Sequence, residues 1–106
     1  MSSGLVPASL RDESQYPRYT LTAYYGDNEI AKSVFISKYA APEDYWQDEP
    51  NLYRFWERLA WGVAQAESDP EAWYPRFLDL LTDWKYVFGG RINYGLGREV
   101  STSSYN

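Results

Sequence analysis

The chain has 106 residues and a formal charge of −5, which is the size of one small domain, and 19% of its residues are aromatic, which argues against a disordered chain. It contains neither cysteine nor histidine, which excludes disulfides, thiolate nucleophiles, Cys/His zinc sites and histidine acid–base catalysis. The sequence shows no basic patch for nucleic acid, no run of about 20 apolar residues for a bilayer and no secretory signal, so we expect a cytoplasmic protein that binds neither nucleic acid nor membrane.

The N-terminal residues 1–17 mix Ser, Gly, Pro and charges without a helical or strand period. We expect a flexible arm here, or a remnant of a cloning vector, because residues 2–7 resemble linker sequence. The next segment, residues 18–25, alternates and is rich in Thr and Tyr, which predicts a strand that ends in a turn at Gly26.

A first helix is expected after this turn, capped by Asp27 or Asn28 and ending before Pro42. Its predicted apolar face consists of Ile30, Ala31, Val34 and Phe35. Four acids follow in the next loop, Glu43, Asp44, Asp48 and Glu49. They are close enough in sequence to bind a divalent cation, but nothing else converges on them, so we predict a solvated loop and no metal site.

The second predicted helix has the clearest pattern in the chain, with Pro50 in its first turn. Seven apolar residues fall on one stripe, Leu52, Phe55, Trp56, Leu59, Ala60, Val63 and Ala64. The charged and polar residues take the other side, Arg54, Glu57, Arg58 and Gln65.

A third helix is predicted after a cap at Ser68 or Asp69, with Pro70 in the first helical position. Its apolar stripe consists of Trp73, Phe77, Leu80, Leu81 and Trp84. Because a proline inside a helix removes a hydrogen bond, we expect the regular helix to begin only at Pro75. The stripes predict core positions for Trp56, Trp73 and Trp84, and leave Trp46 and Trp61 as candidates for contact with another surface.

The pattern changes after Trp84, where a Gly-Gly bend precedes a short strand that begins at Ile92. A lone strand cannot satisfy its own backbone hydrogen bonds, so the fold is predicted to be incomplete. At the bend, Gly89 and Gly90 allow a close backbone approach to a ligand, and Arg91 beside them can bind a phosphate with two parallel hydrogen bonds. A tight turn with a solvent-facing arginine is the simpler interpretation of these three residues alone.

Four segments from residue 29 to the end resemble, in the same order, the N-terminal part of adenosylcobalamin-dependent (class II) ribonucleotide reductases. The segments are residues 29–40, residues 55–67, residues 77–92 with the phrase Tyr-Val-Phe-Gly-Gly-Arg-Ile, and residues 98–106 with the ending Tyr-Asn. Three positions depart from the family pattern: Phe88 stands in place of a proline, Asn93 in place of a leucine, and Arg98 where a threonine is common.

The resemblance implies a mainly α fold, in which a three-helix segment, residues 18–85, leads at residues 86–106 into the first strand of a ten-stranded α/β barrel supplied mostly by another chain. It implies reduction of ribonucleotides by a cysteine radical, with adenosylcobalamin bound by the missing part of the enzyme. The residues implied on the substrate side are Gly89, Gly90, Arg91, Tyr105 and Asn106. Their role would be to position groups, since the family's catalytic cysteines are not among the residues of this chain.

The chain stops one residue before the position of the family's first redox-active cysteine. We therefore expect the N-terminal piece of a divided reductase, inactive alone, whose partner is a separate chain that carries the cysteines. Two alternatives come from the residues themselves. One is a stand-alone acidic helical module that binds a partner protein through Trp46 and Trp61. The other is a small hydrolase that uses the carboxylates of Asp79 and Asp83, spaced four residues apart.

Overall fold

The computed structural model describes residues 5–86, and this part of the chain is mainly helical. Its α-helices are α1 (Leu21–Tyr25), α2 (Glu29–Lys38), α3 (Leu52–Ala64) and α4 (Pro70–Leu81). Short 3₁₀ helices span Ala8–Leu10, Glu13–Arg18, Pro42–Asp44 and Thr82–Trp84. The strands β1 (Tyr45–Trp46) and β2 (Glu49–Pro50) form a small antiparallel hairpin. The mainly α prediction is thus confirmed for these residues, whereas the barrel strand predicted from Ile92 lies outside them.

Helix α3 is the centre of the fold, and it begins at a well-defined cap. Asn51 accepts hydrogen bonds from the backbone N–H groups of Tyr53 and Arg54, at 3.0 and 3.2 Å. Its side-chain amide also donates to the carbonyl of Tyr16 at 2.9 Å, which joins the start of the helix to the N-terminal segment. Pro50 lies in β2 and not in the first helical turn, so that detail of the prediction was wrong. The apolar stripe of α3 is confirmed, since every member except the half-buried Val63 is buried.

Helix α4 packs along α3 and buries Tyr74 and Leu81. Asp69 caps it and Pro70 occupies its first turn, as predicted. The prediction that the regular helix begins only at Pro75 was wrong, because α4 continues through this residue. A proline there deletes one backbone hydrogen bond, and we attribute the continuity of the helix to packing of the residues on either side against α3.

The N-terminal segment is folded, contrary to the prediction of a flexible arm. Within residues 5–17 the side chains of Val6 and Tyr16 are buried in the core. The strand predicted over residues 18–25 was also wrong, because Thr20 caps α1 by accepting from the N–H of Ala23 at 3.0 Å. At the other end of α1, Gly26 adopts a φ of 58°, a conformation that favours glycine and ends the helix.

Helix α2 is capped by Asn28 and ends before Pro42, as predicted. Its buried contact is Phe35, which packs edge-to-face on Phe55 with ring centroids 5.0 Å apart. Ile30 is 78% exposed and Val34 is also exposed, so the predicted four-residue core face was wrong for these two residues. The short helix touches the core at one turn only, and its remaining apolar side chains point away.

Candidate functional site

The five residues predicted on the substrate side, Gly89, Gly90, Arg91, Tyr105 and Asn106, lie outside the described residues, and their roles stay predictions. The structure does describe the point from which the chain proceeds toward them. We call residues 83–85, which follow α4 and precede Tyr86, the exit anchor.

The indole of Trp84 holds the exit anchor in the core. Its ring lies 5.6–6.3 Å, centroid to centroid, from four aromatic rings, those of Phe35, Tyr39, Phe55 and Trp56. Its Nε1 donates a hydrogen bond to the hydroxyl of Tyr25 at 3.2 Å. Aromatic pairs at such distances are worth about 0.5–1.5 kcal/mol each beyond the area they bury. The chain therefore leaves the core from a fixed position.

The backbone of the exit anchor turns sharply. Asp83 and Trp84 both have a φ of 62°, which is uncommon for residues other than glycine and costs on the order of 1 kcal/mol each. The turn is braced by the Tyr19 hydroxyl, which donates to the Asp83 carboxylate at 3.3 Å. Lys85 forms an ion pair with Asp79 at 3.5 Å, so the exit also lies beside the last turns of α4.

The same geometry removes the basis for the hydrolase alternative. Helix α4 ends at Leu81, so Asp79 and Asp83 do not lie on one helical face as their spacing predicted. Each carboxylate contacts a different partner, a lysine for Asp79 and a tyrosine for Asp83. The spacing of the two acids therefore no longer supports a shared catalytic site.

A second group of polar residues lies inside the protein, around the fully buried carboxylate of Glu57. Three donors reach it from the N-terminal segment: the Tyr16 hydroxyl at 2.6 Å, the backbone N–H of Asp12 at 3.0 Å and the Arg11 guanidinium at 3.4 Å. Burial raises the pKa of Glu57, and these hydrogen bonds oppose the rise. Burial and then the neighbouring carboxylate raise the pKa of the Tyr16 hydroxyl well above its ordinary value.

Asp44 and Arg58 form a second buried pair. The Arg58 Nε and Nη2 atoms donate to the two carboxylate oxygens of Asp44 at 3.0 and 3.1 Å. The N–H of Ala41 donates to the same carboxylate at 2.9 Å, and the carbonyl of Tyr39 accepts from Arg58 at 3.3 Å. Burial raises the pKa of Asp44, and the bidentate contact with Arg58 opposes that rise.

The prediction of a solvated acidic loop was therefore wrong for Asp44. Glu49 is also engaged, because its carboxylate accepts from the N–H and the hydroxyl of Thr22, both at 3.2 Å. Among residues 5–86, no group of three or more acidic side chains is placed to hold a metal ion. The acids of this region act as acceptors that fix local structure.

Arg58 lines a small cavity beside these buried groups. The volume of this cavity is about 10 Å³, which is the room of one water molecule. Its lining residues are Leu5, Val6, Arg11, Glu43, Arg54 and Arg58. With hydrogen bonds satisfied and little free space, Glu57 and Arg58 join the N-terminal segment and the 3₁₀ helix at Pro42–Asp44 to α3. We infer a structural role for them.

Trp56 and Trp84 pack in the core as predicted, whereas the other three tryptophans lie differently from the prediction. Trp46 and Trp61 are half-buried, and they pack edge-on against Tyr16 and Tyr74. Trp73, predicted in the core, is 37% exposed and stacks on Phe77. Trp73 is thus an accessible aromatic residue on α4, and Tyr45 and Tyr86 are exposed elsewhere.

Sequence reasoning missed the two buried charged pairs. Glu57 and Arg58 follow Trp56 directly in α3, so they were assigned to the polar side of the helix. One general rule could have indicated their burial: a helix that other elements cover on most sides buries some of its polar residues as well as its apolar stripe. The residues that approach them, such as Tyr16, are too distant in sequence for a local pattern to pair them.

Comparison with known proteins identifies no relative of this chain. No protein-family model matches the chain, and no curated protein or solved structure matches it. Within the described residues, no helix combines the length and apolar character needed to cross a membrane. The resemblance to class II reductases therefore rests on its sequence motifs.

Two half-buried tyrosines, Tyr24 and Tyr53, predict an alkaline transition. Burial, with smaller contributions from nearby acids, raises the pKa of Tyr24 and Tyr53 from 10.0 to about 12. A phenol whose pKa is higher in the folded state contributes stability that is complete below pH 10.0 and is lost as the pH rises toward 12. We expect phenolate absorbance and loss of helical dichroism to rise together in this range. Ionisation of all the tyrosines while the dichroism stays native would contradict the burial of these rings.

Proposed function

We propose that this chain is the N-terminal part of the catalytic subunit of a class II ribonucleotide reductase, completed by a separate chain that carries the cysteines. The observation that carries the proposal is the phrase Tyr-Val-Phe-Gly-Gly-Arg-Ile at residues 86–92 together with Tyr105 and Asn106. This phrase follows directly on the exit anchor, which holds the preceding residues firmly.

The helical part of the chain supports the same proposal. The segments that resemble the family fall in α2, in α3 and at the end of α4, in the order that the family has them. These helices meet in one core, in which Phe35 packs on Phe55 and both rings contact Trp84. They would act as a scaffold that delivers residue 87 and those that follow it to the barrel.

The chemistry is divided between the two chains in this proposal. Gly89 and Gly90 would let the backbone approach the substrate phosphates, and Arg91 would bind them. Tyr105 and Asn106 would position the first redox cysteine. As the resemblance implies, adenosylcobalamin would be bound by the cysteine-bearing chain.

A second candidate is a stand-alone acidic helical module that binds a partner protein. The observation in its favour is the exposed aromatic face of α4 around Trp73, which replaces the predicted contacts Trp46 and Trp61. The two functions differ in their products, since only the reductase makes deoxyribonucleotides when its partner is added.

The test is reconstitution with the part of a class II reductase that begins at the first redox-active cysteine. Both chains are mixed with adenosylcobalamin, a dithiol reductant and either CDP or CTP. We expect deoxynucleotide only when both chains are present. Arg91→Ala should raise the KM for the nucleotide about tenfold, because a charge-assisted contact to phosphate is lost. The matched control is Arg18→Ala, at an exposed position of the N-terminal segment, which should leave the KM unchanged. A mixture that forms no complex would count decisively against the proposal.

A further inference from the structure

Helix α2 is attached to the rest of the protein by one buried side chain. Phe35 is the buried residue among the ten residues of this helix. The centroid of its ring lies 5.0 Å from that of Phe55, 6.1 Å from that of Tyr39 and 6.3 Å from that of Trp84. We call the position that it occupies among these three rings the Phe35 pocket. The other large apolar side chains of the helix are exposed, by 78% for Ile30, 42% for Val34 and 48% for Ile36.

The polar contacts of α2 do not attach it to the other helices. Lys32 forms an ion pair with Glu29 at 3.2 Å, so this contact stays inside the helix. The Ser37 hydroxyl donates to the carbonyl of Val34 at 3.4 Å, which is also internal. Among residues 5–86, no side-chain hydrogen bond or ion pair joins residues 29–38 to α1, α3, α4 or the hairpin. A segment with few buried contacts opens at a lower free energy than the whole domain unfolds.

The chain is fixed on both sides of α2, which limits the part that moves. Before the helix, the Tyr25 hydroxyl accepts a hydrogen bond from Trp84 Nε1 at 3.2 Å. After the helix, the Tyr39 carbonyl accepts one from the buried Arg58 at 3.3 Å. Any opening of α2 is therefore confined to the residues between Tyr25 and Tyr39.

Gly26 lies between the fixed end of α1 and the start of α2. Its φ of 58° and ψ of −122° are a combination that residues with a Cβ rarely adopt. Within the described chain, no heavy atom beyond its neighbours lies within 4 Å of the place that a Cβ would occupy. The backbone therefore has room to rotate here. Hinges in proteins are a few loop or element-terminal residues that absorb a large change in φ and ψ.

We propose that α2 is a flap that turns about Gly26 and lifts Phe35 out of its pocket while α3 and α4 stay folded. Helices α3 and α4 keep their own buried side chains in the open state, such as those of Trp56 and Tyr74. Opening removes one of the four ring contacts that hold Trp84, so the exit anchor is the neighbour that responds. The motion belongs to the chain alone and requires no partner.

Native-state hydrogen exchange of the full chain, followed by NMR at low denaturant concentrations, tests the flap. We expect protection factors at residues 33–38 that are at least about tenfold lower than those at residues 55–64. Exchange at residues 33–38 should also depend only weakly on denaturant, because opening the flap exposes little surface. If both sets of amides share one protection factor and one denaturant dependence, α2 opens only when the whole domain unfolds, and the proposal is wrong.

Gly26→Ala tests the position of the hinge. The substitution strains the closed backbone, and we expect it to lower the protection of α3 about tenfold through global unfolding. If the strain is released when the flap opens, the protection of α2 falls by the same factor. A decrease confined to α3 would show that Gly26 keeps its conformation in the open state and is not the hinge.

Phe35→Ala tests the attachment, with Ile36→Ala as the matched control at the exposed neighbouring position. We expect Phe35→Ala to abolish the protection of residues 33–38 while α3 and α4 stay folded. Ile36→Ala should change that protection by less than about twofold. Equal effects of the two substitutions would show that the Phe35 ring is not what holds α2 closed. Loss of all helical dichroism in Phe35→Ala would show that α3 does not stay folded without this ring, which also contradicts the flap.

Discussion

Replacement of Glu57 by alanine is expected to lower the free energy of unfolding by about 3 kcal/mol at neutral pH. The substitution removes the acceptor for three donors, of which the Tyr16 hydroxyl is fully buried. It also leaves a cavity where α3 meets the N-terminal segment. Urea unfolding followed by far-ultraviolet dichroism measures the change.

Two further variants separate the effect of the buried site from that of charge in general. Glu57→Gln keeps the shape of the side chain, but its amide N–H₂ faces groups that donated to the carboxylate. We therefore expect the free energy of unfolding to fall by about 1–3 kcal/mol. Glu71→Gln, at an exposed position of α4, should change stability by less than about 0.5 kcal/mol. If Glu57→Ala and Glu71→Gln cost the same, the hydrogen bonds to Glu57 are not formed in solution.

The second large effect is expected for Arg58→Ala, which should cost about 3–5 kcal/mol. Without Arg58, the Asp44 carboxylate stays buried and still accepts from the N–H of Ala41, but it has lost its cationic partner, and the Tyr39 carbonyl loses its contact with Arg58 as well. The penalty arises mostly from the uncompensated buried charge. Chemical unfolding of the variant and of the unchanged chain gives the difference.

A double-mutant cycle assigns this penalty to the pair. Asp44→Asn combined with Arg58→Ala should cost less than the sum of the two single changes, by about 1–3 kcal/mol, because the second change removes the stranded charge. Arg18→Ala is the matched control for loss of an exposed arginine, with an expected change below about 0.5 kcal/mol. Additive effects of the Asp44 and Arg58 substitutions would show that the ion pair is not formed.

The sequence predicted those parts of the fold that depend on neighbouring residues. The stripe of α3 and the caps Asn28 and Asp69 follow from spacing and side-chain chemistry within one or two helical turns. Helix α1 was misassigned because five residues are too few to show a helical period, and the alternation of Thr and Tyr favoured a strand. Thr20, which caps α1, was the residue in this segment that favoured a helix over a strand.

The buried charges could not be predicted because their partners are far apart in the chain. Tyr16 and Glu57 are separated by 41 residues, and no local pattern joins them. The positions of the tryptophans could not be predicted either, because they depend on the backbone conformation. The positive φ values of the exit anchor turn Trp84 into the core, whereas Trp73 remains on the outer face of a helix whose inner face is occupied by Tyr74.

The candidate site was predictable only in part. The Gly-Gly-Arg phrase is visible in the sequence, but the anchor that precedes it depends on contacts of Trp84 with α2 and α3, which no spacing reveals. Trp73 and Leu80 were predicted in a core stripe but are exposed, because periodicity identifies an apolar face without stating what covers it.

The rate of adenosylcobalamin-dependent deoxynucleotide formation, measured as this chain is titrated into a fixed amount of the cysteine-bearing chain, tests the central claim most directly. If the two chains are parts of one enzyme, we expect no rate with either chain alone. With both chains, the rate should rise in proportion to the added chain and saturate at equimolar amounts. A rate that stays at zero, or that the cysteine-bearing chain reaches without any addition, would contradict the account.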